Sequence, residues 1–272
     1  MQNTEWITVG ALADGFAAAA FLLPDAELAG QILTLHFANG WTIEHRFDKE
    51  SVHWQMADNH SHGSAPYRAT SIRPDVYFVD FLKTEDGQHY SVSLVLDMQA
   101  RAFTAVLGQL PHAQALESSL YTRARASLPL TQVSAEFLHG SINTPWHEGA
   151  CPHTATRELL GLRNRYRYSP TEVYEHIYLN ENFYTWHCLQ GVEQGLAETD
   201  LCHYWKITEQ LYLFVWREKI IPTLGVVLID LAQHRSDGKI CGWKDDQFGE
   251  LTNFRMASHC ETVNQTPLEN AV

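Results

Sequence analysis

Residues 33–47 read LTLHFANGWTIEHRF, and the dipeptide at their centre decides the local structure. Asn39-Gly40 accepts the positive φ that both central positions of a type I′ turn need, so Leu33–Ala38 and Trp41–Phe47 become the arms of an antiparallel hairpin. Side chains alternate faces along a strand. Trp41, Ile43, His45 and Phe47 therefore share one face, and Thr42, Glu44, Arg46 and Asp48 the other. The apolar row points inward, and His45, carried with it, reads as a core histidine.

The pattern returns in the second half. Leu28-Ala29-Gly30 matches Leu159-Leu160-Gly161, Glu44-His45 matches Glu175-His176, and Trp54 matches Trp186, at separations of 131 or 132. Val76-Tyr77-Phe78-Val79 then answers Leu211-Tyr212-Leu213-Phe214, Val95-Leu96-Asp97-Met98 answers Leu228-Ile229-Asp230-Leu231, and Gly108 answers Gly242. An ordered series of this kind is the mark of an internal duplication. Both copies break at turn residues: Pro74-Asp75 and Glu85-Asp86-Gly87 in the first, Ser169-Pro170, Glu209-Gln210, Pro222 and Ser236-Asp237-Gly238 in the second. Neither shows the long 3.6-residue period of a crossover helix, which disfavours a parallel sheet.

About eight strands per copy leave two edges exposed unless each sheet closes. The expected fold class is all-β: two tandem antiparallel up-and-down barrels with a short N-terminal helix. The N-terminal barrel is placed at residues 1–141, with a lid or docking helix at about 11–23 and strands at about 30–141, including Arg123 to Ser141. Residues 142–158 read as a connection, 159–260 as the C-terminal barrel, and 261–272 as a mobile polar tail.

Composition narrows function. The aromatic load of 8 Trp, 11 Tyr and 12 Phe suits half-buried pleated surfaces. A formal net charge of −13 with no Lys/Arg cluster excludes a phosphate-backbone footprint and disfavours anionic membranes. The apolar run Gly15 to Leu23 is preceded by Glu5 and Asp14, has no basic residue before it, and is too short to span a bilayer. The five cysteines, at 151, 188, 202, 241 and 260, show no C-x-x-C spacing and read as reduced thiols, so a cytoplasmic location is expected. His60 and His62 stand two apart in a Ser/Gly/Asn loop without further ligands, and no zinc site is expected. There is no phosphate loop, dinucleotide fingerprint or Gly-x-Ser-x-Gly elbow, and no cofactor is expected.

Carrying the inward row across the repeat gives Glu172, Tyr174, His176 and Tyr178, a more polar lining than that of the first copy. Tyr184, Trp186 and Cys188 share a face on the next strand. Cys202-His203-Tyr204-Trp205-Lys206 follows, and then the row Tyr212, Phe214, Trp216 and Glu218, with Arg217 and Lys219 pointing the other way. An imidazole among Tyr hydroxyls and a carboxylate can act as a general acid or base. The bland reading stands beside it: His176 as a satisfied core histidine, the aromatic stripes as core, and Glu218 as a solvated strand end.

The runs YEHIYLN (174–180), FYTWHCL (183–189) and YLFVWREKIIPTLG (212–225), with Pro74 to Leu82 in the first half, resemble the MoaF family of bacterial proteins. The resemblance extends from about Leu28 to Phe254. It implies lipocalin-like (calycin) barrels with separate N- and C-terminal halves, and it transfers no catalytic motif. The family name has been attached both to molybdenum cofactor biosynthesis and to a monoamine-linked regulon. A pterin phosphate would want cationic groups, whereas an aromatic amine or phenol suits an aromatic pocket with few charges.

The leading expectation is a barrel that binds a small, partly aromatic metabolite in its C-terminal half and performs cofactor-free lyase or isomerase chemistry there. In that scheme His176 is the general base and Tyr178 or Tyr204 donates a proton. Tyr174, Tyr184, Trp186, His203, Trp216, Arg217 and Glu218 bind the ligand. The alternatives are a non-catalytic carrier or sensor linked to monoamine metabolism, and an accessory protein of molybdenum cofactor biosynthesis. A small-molecule ligand is the expected partner, with no nucleic acid or membrane, and a homodimer is compatible with the sequence.

Overall fold

The computed structural model describes residues 5–19, 22, 25–58, 61–85 and 87–267. It is all-β, with two closed eight-stranded antiparallel barrels in tandem. The first consists of β1 (Ile32–Phe37), β2 (Thr42–Phe47), β3 (Ser51–Met56), β4 (His62–Arg73), β5 (Val76–Glu85), β6 (Gln88–Asp97), β7 (Ala102–Gln109) and β8 (Ser134–Ile142). They follow one another around the barrel, and β8 closes it by pairing Ile142 with Leu35 and Gly140 with Phe37. The first hairpin turn falls at Asn39-Gly40 as expected, but it is not the type I′ turn: only Gly40 takes a positive φ, +94, and its amide donates to the Phe37 carbonyl, so Ala38 and Asn39 make the bend and Gly40 returns the chain to β2.

After a two-residue strand β9 (Thr154–Ala155), the second barrel consists of β10 (Leu162–Arg167), β11 (Val173–Tyr178), β12 (Phe183–Gln190), β13 (Ala197–Thr208), β14 (Leu211–Arg217), β15 (Thr223–Asp230), β16 (Arg235–Trp243) and β17 (Leu251–Gln265). The order is again up-and-down. The ring closes where β10 pairs with β17, Tyr166 lying opposite Cys260. Among the described residues, no helix is long and apolar enough to cross a membrane.

The two cores differ in chemistry. The first is mostly aliphatic and phenylalanine, with Leu33, Leu35, Phe47, Val79, Leu94 and Phe103 fully enclosed. The second gathers Tyr166, Tyr168, Tyr174, Tyr178, Tyr184, Trp186, Tyr204, Phe214 and Trp216. His45 is buried, and that burial lowers its pKa to about 4, so it is neutral core. Trp41 does not join the inward row: it precedes β2 and is 40% exposed.

The contacts divide the chain into two compact units, residues 22–109 with 135–154, and residues 1–21, 110–134 and 155–272. Three sequence expectations change accordingly. The N-terminal helix, α1 (Val9–Gly15), continues as a 3-10 turn over Phe16–Ala18; residues 20, 21 and 23 of the expected helix lie outside those described. It packs on β16 and β17, so it belongs with the later barrel rather than the N-terminal one. Thr8 caps it by accepting from the Ala11 amide, and Gly242 lets it approach, since a Cβ there would lie 2.3 Å from Val9 Cγ2.

The stretch from Arg123 to Val133, placed by sequence in the first barrel, also belongs with the second. It begins inside a helix, α2 (Leu120–Arg125), that strand alternation did not anticipate. Its flanks are tied down by Trp243 Nε1 donating to the Pro111 carbonyl, Thr131 Oγ1 to the Glu218 carbonyl and Arg217 Nη1 to the Val133 carbonyl. Finally, residues 261–265 are strand, not tail: Glu261 and Thr262 pair with Arg165 and Asn164.

Candidate functional site

Strand alternation in the second barrel delivers the aromatic side chains to one place. A cavity of about 30 Å³ is lined by Tyr168, Tyr174, His176, Tyr184, Trp186 and Trp216, by the carboxylates Glu193 and Glu218, and by Leu12 and Phe16 of the N-terminal segment. That volume holds about one or two waters. Phe16 packs with its ring centre 4.7 Å from Tyr168 and 5.7 Å from Tyr174, so the N-terminal segment forms one wall.

His176 sits at the centre of the aromatic shell, with ring centres 4.5 Å from Tyr166, 5.2 Å from Tyr184, 5.7 Å from Phe214 and 5.8 Å from Trp216. Burial lowers its pKa to about 3. It is a neutral imidazole and a feeble base. Its Nδ1 and the Tyr184 hydroxyl are buried without a hydrogen-bond partner. Buried polar atoms are normally paired, so these two stand out in the shell as unsatisfied hydrogen-bonding groups.

The acidic groups surround this shell. Trp216 Nε1 donates to Glu218 at 2.8 Å, Trp186 Nε1 donates to Asp200 at 3.2 Å, and the Tyr174 hydroxyl donates to Glu193 at 3.1 Å. Burial, with neighbouring carboxylates adding to it, raises the pKa of Glu193 to about 7 and that of Glu198 to about 7. Burial with Asp200 and Glu193 lifts Glu218 well above the ordinary carboxylate range. Asp200 is raised by burial against the pull of Lys219. Lys219 approaches Glu198 at 2.7 Å and Asp200 at 3.2 Å, one cation among these four acids.

The structure brings together Tyr174, His176, Tyr184, Trp186, Trp216 and Glu218 from the sequence-predicted set. Glu218 is no solvated strand end; its carboxyl faces the cavity. Trp216 lies over its cross-strand partner Gly225, where a Cβ would come within 2.1 Å of the indole. Tyr178 is enclosed behind the cavity, its hydroxyl bonded to that of Tyr166. Tyr204 takes the Cys202 thiol at 2.9 Å and donates to the Phe183 carbonyl. His203 and Arg217 point away from the lining and bond each other at 3.1 Å. Burial and then the Arg217 charge lower His203 to about 4.

Sequence reasoning missed Glu193, Glu198, Asp200, Tyr168 and the N-terminal wall. The β13 alternation that sends Cys202 and Tyr204 inward extends back to Asp200 and Glu198, so those two were within reach of the period-2 rule. Glu193 stands in the turn GVEQG, where no periodicity exists to show its burial.

Known proteins resemble the chain over most of its length. The MoaF N-terminal domain matches residues 4–112, and the MoaF C-terminal domain matches residues 153–266. "Protein MoaF" of Klebsiella aerogenes is 46% identical over 266 residues, covering 96% of each chain. The chain belongs to the MoaF family. The N-terminal domain match takes in β1–β7 together with α1, the C-terminal match takes in β10–β17, and the aromatic cavity falls wholly within the MoaF C-terminal domain apart from the N-terminal wall. A solved structure from Burkholderia vietnamiensis described as a "putative beta-lactamase" is 14% identical and aligns over 40% of this chain and 100% of its own, at a TM-score of 0.35, too low to bear on fold or function. Among the described residues, no group of three or more His, Cys, Asp or Glu side chains is placed to hold a metal ion, and His60 lies outside those residues.

Proposed function

We propose that the C-terminal barrel of this MoaF-family protein binds a small, partly aromatic organic cation, an amine, with its ammonium group against Glu193 and Glu218 and its ring among Tyr184, Trp186 and Trp216. The observation that carries this reading is the pair of carboxyls facing an aromatic cavity with raised pKa values. Buried acids that hold protons for want of a counter-ion favour a cationic ligand, and the indole and phenol faces attract the same charge. An anionic pterin phosphate meets the opposite field. The cavity admits only the cationic head, and the ring of the ligand takes the place of Leu12 and Phe16 as the N-terminal segment swings aside.

Binding rather than catalysis by His176 is favoured, because an imidazole held near 3 accepts protons poorly. An acid–base reading survives on one observation: Glu193, near 7 and bonded to the Tyr174 hydroxyl, is tuned as a proton acceptor for a lyase or isomerase. The test is calorimetric titration with phenethylamine, its neutral alcohol analogue and phenylacetate. The amine binds, and its affinity rises as the pH passes through about 7, where Glu193 gives up its proton. Equal affinity for amine and alcohol would sink the proposal.

A further inference from the structure

A second cluster of reactive groups lies in the first barrel, away from the aromatic cavity. Phe103 and Ala105 of β7 and Leu138 of β8 pack on the core, so Thr104 and His139 face the opposite side of the sheet. There Thr104 Oγ1 bonds His139 Nδ1 at 2.9 Å and His153 Nδ1 at 2.8 Å. One hydroxyl thereby orients two imidazoles, as donor to one and acceptor from the other. The His153 side chain is fully enclosed. Its Nε2 makes no hydrogen bond, and the Asp97 carboxylate stands 4.0 Å from it. Cys151, two residues before His153 in sequence, is only partly covered, its Sγ 3.7 Å from the Phe103 carbonyl.

The electrostatics follow from this arrangement. Burial would raise the Cys151 thiol, but the neighbouring His139 and His153 imidazoles and the charge of His153 bring it down to about 6. Burial would lower His153, but Asp97 and Cys151 together raise it. The result is a cysteine whose anionic form is favoured by the imidazoles beside it, with a carboxylate behind His153, the setting that makes a cysteine nucleophilic.

The duplication provides a control on the structural reading. Asp97 closes a turn by accepting from the Ala100 amide, and Asp230 does the same for Gln233 in the second copy. The residues aligned with Thr104 on β16 lie at Asp237-Gly238, so the threonine hydroxyl that joins the two imidazoles has no counterpart there. The turn therefore needs its aspartate and not that hydroxyl. The other four cysteines are buried, and burial raises Cys188 to about 11 and Cys202 and Cys260 to about 12.

We infer that Cys151 is a peroxide-reactive thiolate, a site of reversible oxidation set by His153, His139 and Asp97. The narrow access to a half-buried sulfur favours a small electrophile. The thiolate sulfur attacks one peroxide oxygen, forming an S–O bond as the O–O bond breaks. The sulfur is oxidised by two electrons to a sulfenic acid, and the peroxide is reduced. His153 gives its proton to the leaving oxygen, which departs as water from hydrogen peroxide or as an alcohol from an organic one. No second thiol adjoins it, so an external thiol restores the reduced state.

The test treats the full chain with hydrogen peroxide at pH 7, traps sulfenic acid with a cyclic 1,3-dione, and reads each cysteine by peptide mass spectrometry. Cys151 takes the label about fivefold faster than glutathione, the gain in thiolate fraction exceeding the loss in intrinsic nucleophilicity. Cys188, Cys202, Cys241 and Cys260 stay unlabelled. His153→Gln brings the rate down to that of glutathione or below, and His139→Gln, a milder change, lowers it in the same direction should the first variant fail to fold. An unlabelled Cys151 at a dose that oxidises glutathione, or undiminished rates in both variants, overturns the inference.

Discussion

Glu193 couples stability to binding. Its folded pKa of about 7 lies above the ordinary 4.5, so the unfolded chain loses the proton from about pH 4.5 upward while the folded chain keeps it to about 7. The stabilising contribution is therefore complete below that window and lost as pH rises through it. Glu193→Gln raises stability at pH 8 by about 1–3 kcal/mol, leaves it unchanged at pH 4, and weakens amine binding at least tenfold; denaturant melts at the two pH values and calorimetry measure this. His176 has the opposite sign. With a folded pKa of about 3 against 6.5, its contribution is present above about pH 6.5 and lost as pH falls toward 3. His176→Phe removes one proton from the uptake that accompanies acid unfolding, and the slope of stability against pH between 6 and 4 becomes shallower by that amount.

At the scale of elements, the N-terminal segment and the β14–β15 pair shape the site. Leu12 and Phe16 wall the cavity, and the closeness of α1 to β16 at Gly242 holds them there. Phe16→Ala costs about 3–4 kcal/mol as a large buried ring is lost, yet it enlarges the cavity and raises the association rate for phenethylamine, measured by stopped-flow tryptophan fluorescence. Gly225→Ala presses a methyl group into the Trp216 ring and shifts the indole from Glu218. Amine affinity then drops while far-UV circular dichroism stays that of the unaltered barrel. Both expectations rest on elements whose local sequence is ordinary. The seven residues Val9–Gly15 bury only Val9 and Leu12, and their docking depends on what a distant glycine leaves open.

For the molecule as a whole, the repeated pattern was legible because each barrel writes its structure locally. Asn39-Gly40 set a hairpin, Trp41 to Phe47 alternated, and His45 and His176 fell at corresponding places in β2 and β11, both facing inward. Period-2 alternation depends on backbone geometry that each residue carries in itself, so fold class, duplication and the aromatic lining followed from residue order alone. The acidic half of the site did not. Glu193 is buried because a turn folds over the barrel, Lys219 gathers Glu198 and Asp200 from another strand, and residues 110–134 join the later barrel after beginning in the first half of the chain. Each depends on contacts between residues far apart in sequence, whose partners no local rule specifies. Sequence alone determined which side chains travel together; tertiary structure decided which of them meet, because burial and charge pairing are properties of the closed barrel and not of the strand.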